Sequence, residues 1–104
     1  MIYLVIQGKI KNGAEEIYTA YLKGVAPLME EYGVSVELVG AGLDCEFTNR
    51  THPQNAVLKF GDRETLERFL GDERYLLIKQ NFRDRAYEYL DLSVFEGRPP
   101  RRFD

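Results

Sequence analysis

The sequence predicts an α+β domain with one four-stranded antiparallel sheet and helices packed on one of its faces. Three observations lead to this class: stretches in which apolar residues alternate, segments with apolar residues three and four apart, and the order of these segments. A chain of 104 residues has room for one hydrophobic core. We therefore predict a single domain over residues 1–97 and a flexible Arg- and Pro-containing tail over residues 98–104.

The first two elements are a strand and a helix. Ile2 to Ile10 is rich in β-branched and aromatic residues, which indicates a strand. Asn12 suits the N-cap of the helix that follows, and Glu15 can reach back to it in a capping box. Gly33 can adopt the left-handed conformation that ends a helix. Pro27 removes a backbone donor within this segment, so we expect one kinked helix rather than two.

The middle of the chain predicts two strands joined by a long connection. Val34 to Val39 and Asn55 to Phe60 both alternate as strands do. Between them we expect a weaker extended piece over Leu43 to Phe47 and a loop over residues 49–54.

Two helices and a strand complete the domain. Arg63 to Leu70 has apolar residues at helical spacing, and Asp72 can cap a further helix that presents Tyr75. Ala86 to Phe95 is a long last strand. The order is strand, helix, two strands, helix pair, strand, which is the split βαβ arrangement of ferredoxin-like domains.

Residue parity divides the predicted sheet into an apolar face and a mixed face, because neighbouring side chains of a strand point to opposite sides. The apolar set, expected under the helices, is Ile2, Leu4, Ile6, Val34, Val36, Leu38, Ala56, Leu58, Phe60, Leu90, Leu92 and Val94. The mixed set is Tyr3, Val5, Gln7, Ser35, Glu37, Val39, Asn55, Val57, Lys59, Tyr87, Tyr89, Asp91, Ser93 and Phe95. An exposed patch of this kind requires a partner. Two copies are therefore expected to pair through this face as a homodimeric α/β barrel.

Polar residues of the mixed face form the first group of ligand-binding candidates. They are Tyr3, Gln7, Glu37, Lys59, Tyr89 and Asp91. Charges inside a barrel persist only when paired, and adjacent strands should bring Glu37 to Lys59. The group could bind a ligand in a cavity from which water is excluded. Alternatively, it could form cross-strand and interfacial ion pairs that fix the dimer register. We favour the second interpretation, since ion-pair networks shift pKa values without catalysing a reaction.

The single histidine, His52, is a separate candidate, because histidine is the side chain that titrates near neutral pH. It could act as a general base at the rim of a pocket, helped by Tyr75 or Arg50. Alternatively, it is an extended residue held by the following Pro53. We favour the second interpretation, since no base-and-orienter pair is evident beside it.

Tyrosines of the first helix raise a further possibility. Tyr18, Tyr21 and Tyr32 could line a pocket between the helices and the sheet, or they could belong to the core with their hydroxyls at the surface. On packing grounds we favour the core.

Several classes of function are not indicated. A formal charge of -3 argues against a nucleic-acid-binding surface, and no apolar stretch approaches the length that spans a membrane. The lone Cys45 has no cysteine partner, so the cytoplasm is the simplest location. No glycine-rich phosphate motif or regularly spaced ligand set is present, so neither a cofactor nor a metal is predicted.

Three segments of the chain resemble the domain of unknown function 1330 family, within the dimeric α/β-barrel superfamily. They are the proline-bearing helix end Val25 to Gly33, the His52-Pro53 entry to the strand that ends at Phe60, and Phe69 to Tyr75. Where that family has a Trp-Tyr pair and a Ser-Pro pair, this chain has Phe69-Leu70 and Asp72-Glu73. The resemblance implies the barrel dimer and no particular activity.

The predicted function is binding of a small organic molecule in a cavity of each subunit of a cytoplasmic homodimer. One alternative is a cofactor-independent monooxygenase or isomerase of an aromatic or enolisable compound, with His52, Glu37 or Asp91 as the proton acceptor. A second alternative is a non-catalytic assembly or regulatory module.

Overall fold

The computed structural model describes residues 1–102, which form a four-stranded antiparallel sheet with helices on one face. The strands are β1 (Ile2–Ile10), β2 (Ser35–Ala41), β3 (Gln54–Phe60) and β4 (Tyr87–Glu96), in the order β2-β3-β1-β4. The helices are α1 (Glu15–Glu31), α2 (Arg63–Gly71) and α3 (Glu73–Ile78), followed by a π-helical segment (Lys79–Arg83) and a last turn, α4 (Asp84–Ala86). The predicted fold class is confirmed. The predicted tail extends past the described residues, and its flexibility stays a prediction.

The observed helix ends confirm two of the predicted helix-terminal residues and contradict a third. Gly33, with φ of +66°, follows α1 as expected, and the Asp72 side chain caps α3 by accepting from the Arg74 amide at 2.8 Å. Pro27 lies within α1, which is a single helix. The predicted cap at Asn12 is wrong, because α1 begins at Glu15 after Ala14. Residues 11–14 instead form a turn, in which Gly13 has a φ of +83° and the Ala14 amide donates to the Lys11 carbonyl.

A bulge in each edge strand changes the predicted sorting of residues between the faces. Val36 pairs with Leu58 and Leu38 with Val57, so Glu37 is the extra residue of β2. Leu38 therefore shares a face with Val57, and Val39 lies beside Ala56 under the helix layer. The parity prediction for Leu38 and Val39 is wrong because one inserted residue reverses the side of those after it.

The second bulge lies in β4. Tyr89 pairs with Lys9 and Tyr87 with Ile10, which leaves Glu88 as the extra residue. Tyr87 consequently lies on the helix-covered face rather than on the mixed face, which is a second correction to the parity prediction. The Glu88 carboxylate lies 3.2 Å from the Lys9 ammonium on the opposite, open face.

The extended piece predicted over Leu43 to Phe47 is not a strand. The segment between β2 and β3 is a loop, in which the Thr48 amide donates to the Cys45 carbonyl at 3.2 Å. Its ends are held together where the Gly42 amide donates to the Pro53 carbonyl at 3.3 Å. A Cβ at Gly42 would lie only 2.1 Å from the His52 carbonyl oxygen, so glycine permits this closure.

The core lies between the sheet and the helices. Phe60 of β3 and Phe69 of α2 are the largest fully buried side chains and pack edge to face, with ring centroids 5.6 Å apart. The Tyr75 ring of α3 packs against Phe69 at a tilt of 39°, with ring centroids 4.9 Å apart. Further apolar residues complete the cluster, among them Leu4, Val25, Leu28, Val34, Leu58 and Leu66.

Candidate functional site

A cavity of about 510 Å³ lies between the helices and the sheet, beside this core. Such a volume is within the usual range of roughly 300–1,000 Å³ for small-molecule sites. The exposed Val36 and Val39 of the edge strand β2 lie at one side of it. Most of its lining is aliphatic or aromatic: Leu4, Ile6, Leu22, Val25, Met29, Ala56, Leu58, Phe69, Leu70, Leu90 and Leu92.

Hydroxyls and one guanidinium lie together at one end of the cavity, which we call the polar end. It consists of Tyr18, Tyr21, Tyr75, Arg83 and Tyr87. Arg83 Nη1 donates to the Tyr75 hydroxyl at 3.0 Å, and the Tyr75 and Tyr21 hydroxyls lie 3.4 Å apart. Within the part of the chain that the structure describes, Arg83 is the one charged residue that lines the cavity.

The π-helical segment positions Arg83. This wider turn lies between α3 and α4, and the Arg83 side chain is only 13% exposed. Its guanidinium lies 3.4 Å from Asp84, whose other carboxylate oxygen is bound by the Lys79 ammonium at 2.8 Å. The neighbouring cations hold the pKa of Asp84 below its usual range, with the Lys79 hydrogen bond as the main cause. Two cations thus share one carboxylate.

Two phenols of the polar end stay protonated. Burial raises the pKa of Tyr21 far above its usual range, and the neighbouring Tyr75 adds to the effect. Burial also raises the pKa of Tyr87, with a further contribution from Tyr18. Both hydroxyls therefore act at neutral pH as hydrogen-bonding groups rather than as phenolate bases.

A close approach between two strands places Tyr87 in the cavity. The Tyr87 ring packs over Gly8 of β1, where a Cβ would lie 2.8 Å from the ring and 2.8 Å from the Tyr89 carbonyl oxygen. Tyr18 of α1 meets the same ring edge to face at 5.8 Å. Gln54, which pairs with Gly8 across β1 and β3, also lines the cavity. Its Oε1 is buried and has no hydrogen-bond partner among the described residues.

The open face of the sheet, opposite the helices, carries a second polar group. His52 Nε2 lies 2.6 Å from Asp91 Oδ2, and Arg50 lies 3.7 Å from the same oxygen. The Arg50 guanidinium also stacks over the Tyr89 ring, 3.6 Å from its centroid. The Tyr89 hydroxyl donates to the Thr51 carbonyl. Arg50, the cation of this group, therefore has partners in the same chain.

Hydrogen bonds connect His52 to the strands. Gln7 donates to Asn55 Oδ1 at 3.0 Å, and Asn55 Nδ2 donates to the carbonyls of His52 at 2.6 Å and Gly40 at 3.3 Å. Gln7 pairs in register with both Asn55 and Asp91. This row anchors the loop that carries His52 to the centre of the open face.

Lys59 and Glu37 meet elsewhere on the open face, as the sequence predicts. Lys59 Nζ lies 2.9 Å from Glu37 Oε1, and this hydrogen bond raises the pKa of the ammonium. Tyr3, the register neighbour of Lys59, stacks on Phe95 with ring centroids 5.2 Å apart.

The predicted site residues divide between the two faces. Tyr75 lines the cavity, whereas seven candidates belong to the open face or to the loop beside it: Tyr3, Gln7, Glu37, His52, Lys59, Tyr89 and Asp91. Of the three tyrosines predicted on the first helix, Tyr18 and Tyr21 of α1 line the cavity. Tyr32, which follows α1, donates to Asp72 at 2.8 Å.

Sequence reasoning missed Arg83, Tyr87 and Gln54 as lining residues. Arg83 lies in the π-helical segment Lys79–Arg83, which the apolar spacing did not predict, and Tyr87 lies on the helix-covered face because of the bulge at Glu88. The parity that places Ala56 under the helices also points to Gln54, two residues earlier, so that signal was available.

Other kinds of site are not indicated by residues 1–102. They contain no group of three or more His, Cys, Asp or Glu side chains arranged to hold a metal ion. None of the helices in this range has the length and apolar character needed to cross a membrane.

The sheet order, the helix layer and the two faces define an α+β protein of ferredoxin-like fold. No family model and no curated protein matches the sequence. Solved structures share the fold. Protein RPA0582 of unknown function from Rhodopseudomonas palustris has a TM-score of 0.84 at 16% identity, over 95% of this chain and 83% of that one.

Two further crystal structures extend the comparison. Protein At3g17210 from Arabidopsis thaliana has a TM-score of 0.75 at 12% identity, covering 97% of this chain and 99% of that one. A protein of unknown function from Jannaschia sp. CCS1, described as dimeric and ferredoxin-like, has a TM-score of 0.73 at 14% identity, covering 92% of this chain and 98% of that one. At these identities the likeness shows the fold alone.

Proposed function

We propose that this protein binds a small, mostly apolar organic molecule in the cavity between its helices and its sheet, one molecule per chain. The observation that carries the proposal is the cavity itself, whose volume of about 510 Å³ is lined mostly by apolar side chains. The buried Gln54 Oε1 supports it, because a buried acceptor without a partner is costly and a bound molecule could supply the donor.

Binding explains this cavity better than the monooxygenase or isomerase alternative. That chemistry calls for a proton acceptor next to the bound substrate. The three acceptors that the sequence offered, His52, Glu37 and Asp91, belong to the open face and its loop. Among the described residues, the cavity lining includes no carboxylate, imidazole or thiol, and Tyr21 and Tyr87 stay protonated.

A neutral hydrophobic dye, N-phenylnaphthylamine, tests the proposal by fluorescence titration. We expect saturable binding with one site per chain. Val39→Trp should abolish it, because an indole at this position projects into the side of the cavity. The neighbouring Leu38→Trp is the matched control, because Leu38 lies on the open face and the dye should still bind. Absence of saturable binding, or equal loss in both variants, would contradict the proposal.

We further propose that the protein is cytoplasmic and that its active form is a homodimer paired through the open face. The resemblance to the domain of unknown function 1330 family implies the dimer. Leu38 and Phe95 support this assembly, since they are 66% and 50% exposed on the same face as Val5 and Val57. The dimeric description of the Jannaschia protein is consistent with it. A module whose only function is this assembly would give a dimer that binds no ligand.

Light scattering coupled to gel filtration tests the dimer. Val5→Lys places a charge in the centre of the open face, so the variant should elute as a folded monomer. Leu77→Lys makes the same kind of change at a 59% exposed position on α3 and should remain dimeric. A dimeric Val5→Lys protein would exclude this interface.

A further inference from the structure

The polar end of the cavity holds a cation that its neighbours only partly neutralise. Arg83 and Lys79 share the single carboxylate of Asp84, and the shorter contact, at 2.8 Å, is with Lys79. The contacts from Arg83 to Asp84 are both 3.4 Å, near the limit of a hydrogen bond. One positive charge therefore remains unmatched, and Arg83 is the member of the trio that lines the cavity.

The donors of this cluster exceed its acceptors. A guanidinium has five N–H groups, and the contacts of Arg83 to Tyr75 and Asp84 engage three at most, which leaves at least two. The Tyr21 and Tyr75 hydroxyls share one hydrogen bond, so whichever of them accepts still has its own proton to donate. The cavity thus presents N–H and O–H groups to a ligand at this end.

From this arrangement we infer that the ligand is an amphipathic monocarboxylate, with its carboxylate at Arg83 and Tyr75 and its apolar body among the aliphatic and aromatic lining. This inference rests on the proposed binding function and names its ligand class. The planar fork of the guanidinium matches the two oxygens of a carboxylate. One unmatched positive charge can neutralise a monoanion. A phosphate dianion would keep one negative charge without a partner in the cavity.

The geometry also explains why such a pair would be stable in an apolar cavity. A carboxylate taken from water into this cavity needs a paired cation and hydrogen bonds to its remaining lone pairs. Arg83 supplies the first, and a hydroxyl of Tyr75 or Tyr21 supplies the second. The contact between the Tyr75 and Phe69 rings begins the apolar wall that would receive the rest of the molecule.

Displacement of bound N-phenylnaphthylamine tests the inference, with hexanoate, decanoate and phenylbutyrate as acids and their primary amides as neutral counterparts of nearly the same shape. We expect at least one acid to displace the dye, and to do so about tenfold to hundredfold more tightly than its amide, which is the usual effect of a hydrogen bond to a charged group. Arg83→Gln should remove this preference while the dye still binds.

Arg85→Gln is the matched control, because Arg85 is exposed, donates to the Asn81 carbonyl and does not line the cavity. It should keep the preference for acids. If the dye binds but acids and amides displace it equally, or if Arg83→Gln keeps the preference, the inference is wrong and the proposed function stands. Failure of all three acids to displace a bound dye would also overturn it. If the dye itself does not bind, the proposed function fails.

Discussion

The two faces of the sheet both combine tyrosines with an arginine, yet they arrange the charges differently. On the open face, Arg50 stacks on Tyr89 and lies near Asp91, which also binds His52. Under the helices, Arg83 contacts Tyr75 and competes with Lys79 for Asp84.

This difference separates structural charges from those available to a ligand. A cation that is matched within its own chain stabilises a register or a loop, whereas an unmatched one in an apolar cavity can attract a ligand. Four changes test the comparison, from the largest expected effect to the smallest.

Removal of an aromatic ring should have a much larger effect on stability under the helices than on the open face. Phe60 is fully buried, so Phe60→Ala should lower the free energy of unfolding by about 3–5 kcal/mol. Phe95→Ala removes the same ring from a half-exposed position on the open face and should cost less in the monomer. Denaturant unfolding at several protein concentrations measures both. The cost of Phe95→Ala should rise with concentration if a dimer covers this face, and a cost equal to that of Phe60→Ala in the monomer would contradict the comparison.

A methyl group at Gly8 should disturb the cavity from the sheet side. Gly8→Ala forces the new Cβ against the Tyr87 ring and the Tyr89 carbonyl, so we expect a loss of about 1–3 kcal/mol and weaker dye binding. Gly61→Ala is the control, because a Cβ there has no atom within 4 Å and Gly61 does not line the cavity. Thermal unfolding and dye titration measure the two effects. Unchanged stability in Gly8→Ala would contradict this expectation, because both the Tyr87 ring and the Tyr89 carbonyl would then have moved aside at no cost.

Alkaline pH should destabilise the protein through Tyr21. In the unfolded chain this phenol ionises near pH 10, whereas burial raises its pKa in the folded state. Its contribution to stability is therefore complete below about pH 10 and is lost as the pH rises, by up to about 1.4 kcal/mol per pH unit. Tyr21→Phe should make the decline between about pH 10 and 11 shallower, as measured by urea unfolding. An identical slope in the variant would mean that Tyr21 ionises in the folded protein.

The smallest effect is expected at His52. His52→Gln removes an interaction with a half-exposed carboxylate, so stability should fall by no more than about 1 kcal/mol. Dye affinity should stay within about twofold of the original, because the imidazole does not line the cavity. Isothermal titration and thermal unfolding check both expectations. A large loss of dye affinity would indicate that His52 takes part in ligand binding. It would contradict the assignment of the binding site to the helix-covered face alone.

Much of the fold could be predicted because its signals are local. The bounds of β1 agree with the observed strand to the residue, and Gly33 and Asp72 end and begin helices as their conformational and hydrogen-bonding preferences dictate. The contact of Glu37 with Lys59 also followed from strand order alone. Tyr75 was predicted as a site residue and lines the cavity, but its partners were not.

By itself, the sequence determined the order of the elements, the helix-terminal roles of Gly33 and Asp72, and most of the apolar layer, since each depends on residues a few positions apart. Tertiary structure decided which side chains reach the cavity. The bulges at Glu37 and Glu88 exist because of pairing with distant strands, and each reverses the parity beyond it, which brings Val39 and Tyr87 under the helices. Arg83, in the π-helical segment, likewise makes a hydrogen bond to Tyr75 that the sequence pattern did not predict. Strand register and helical pitch depend on packing between residues that are distant in sequence. The spacing of apolar residues along the chain does not contain this information.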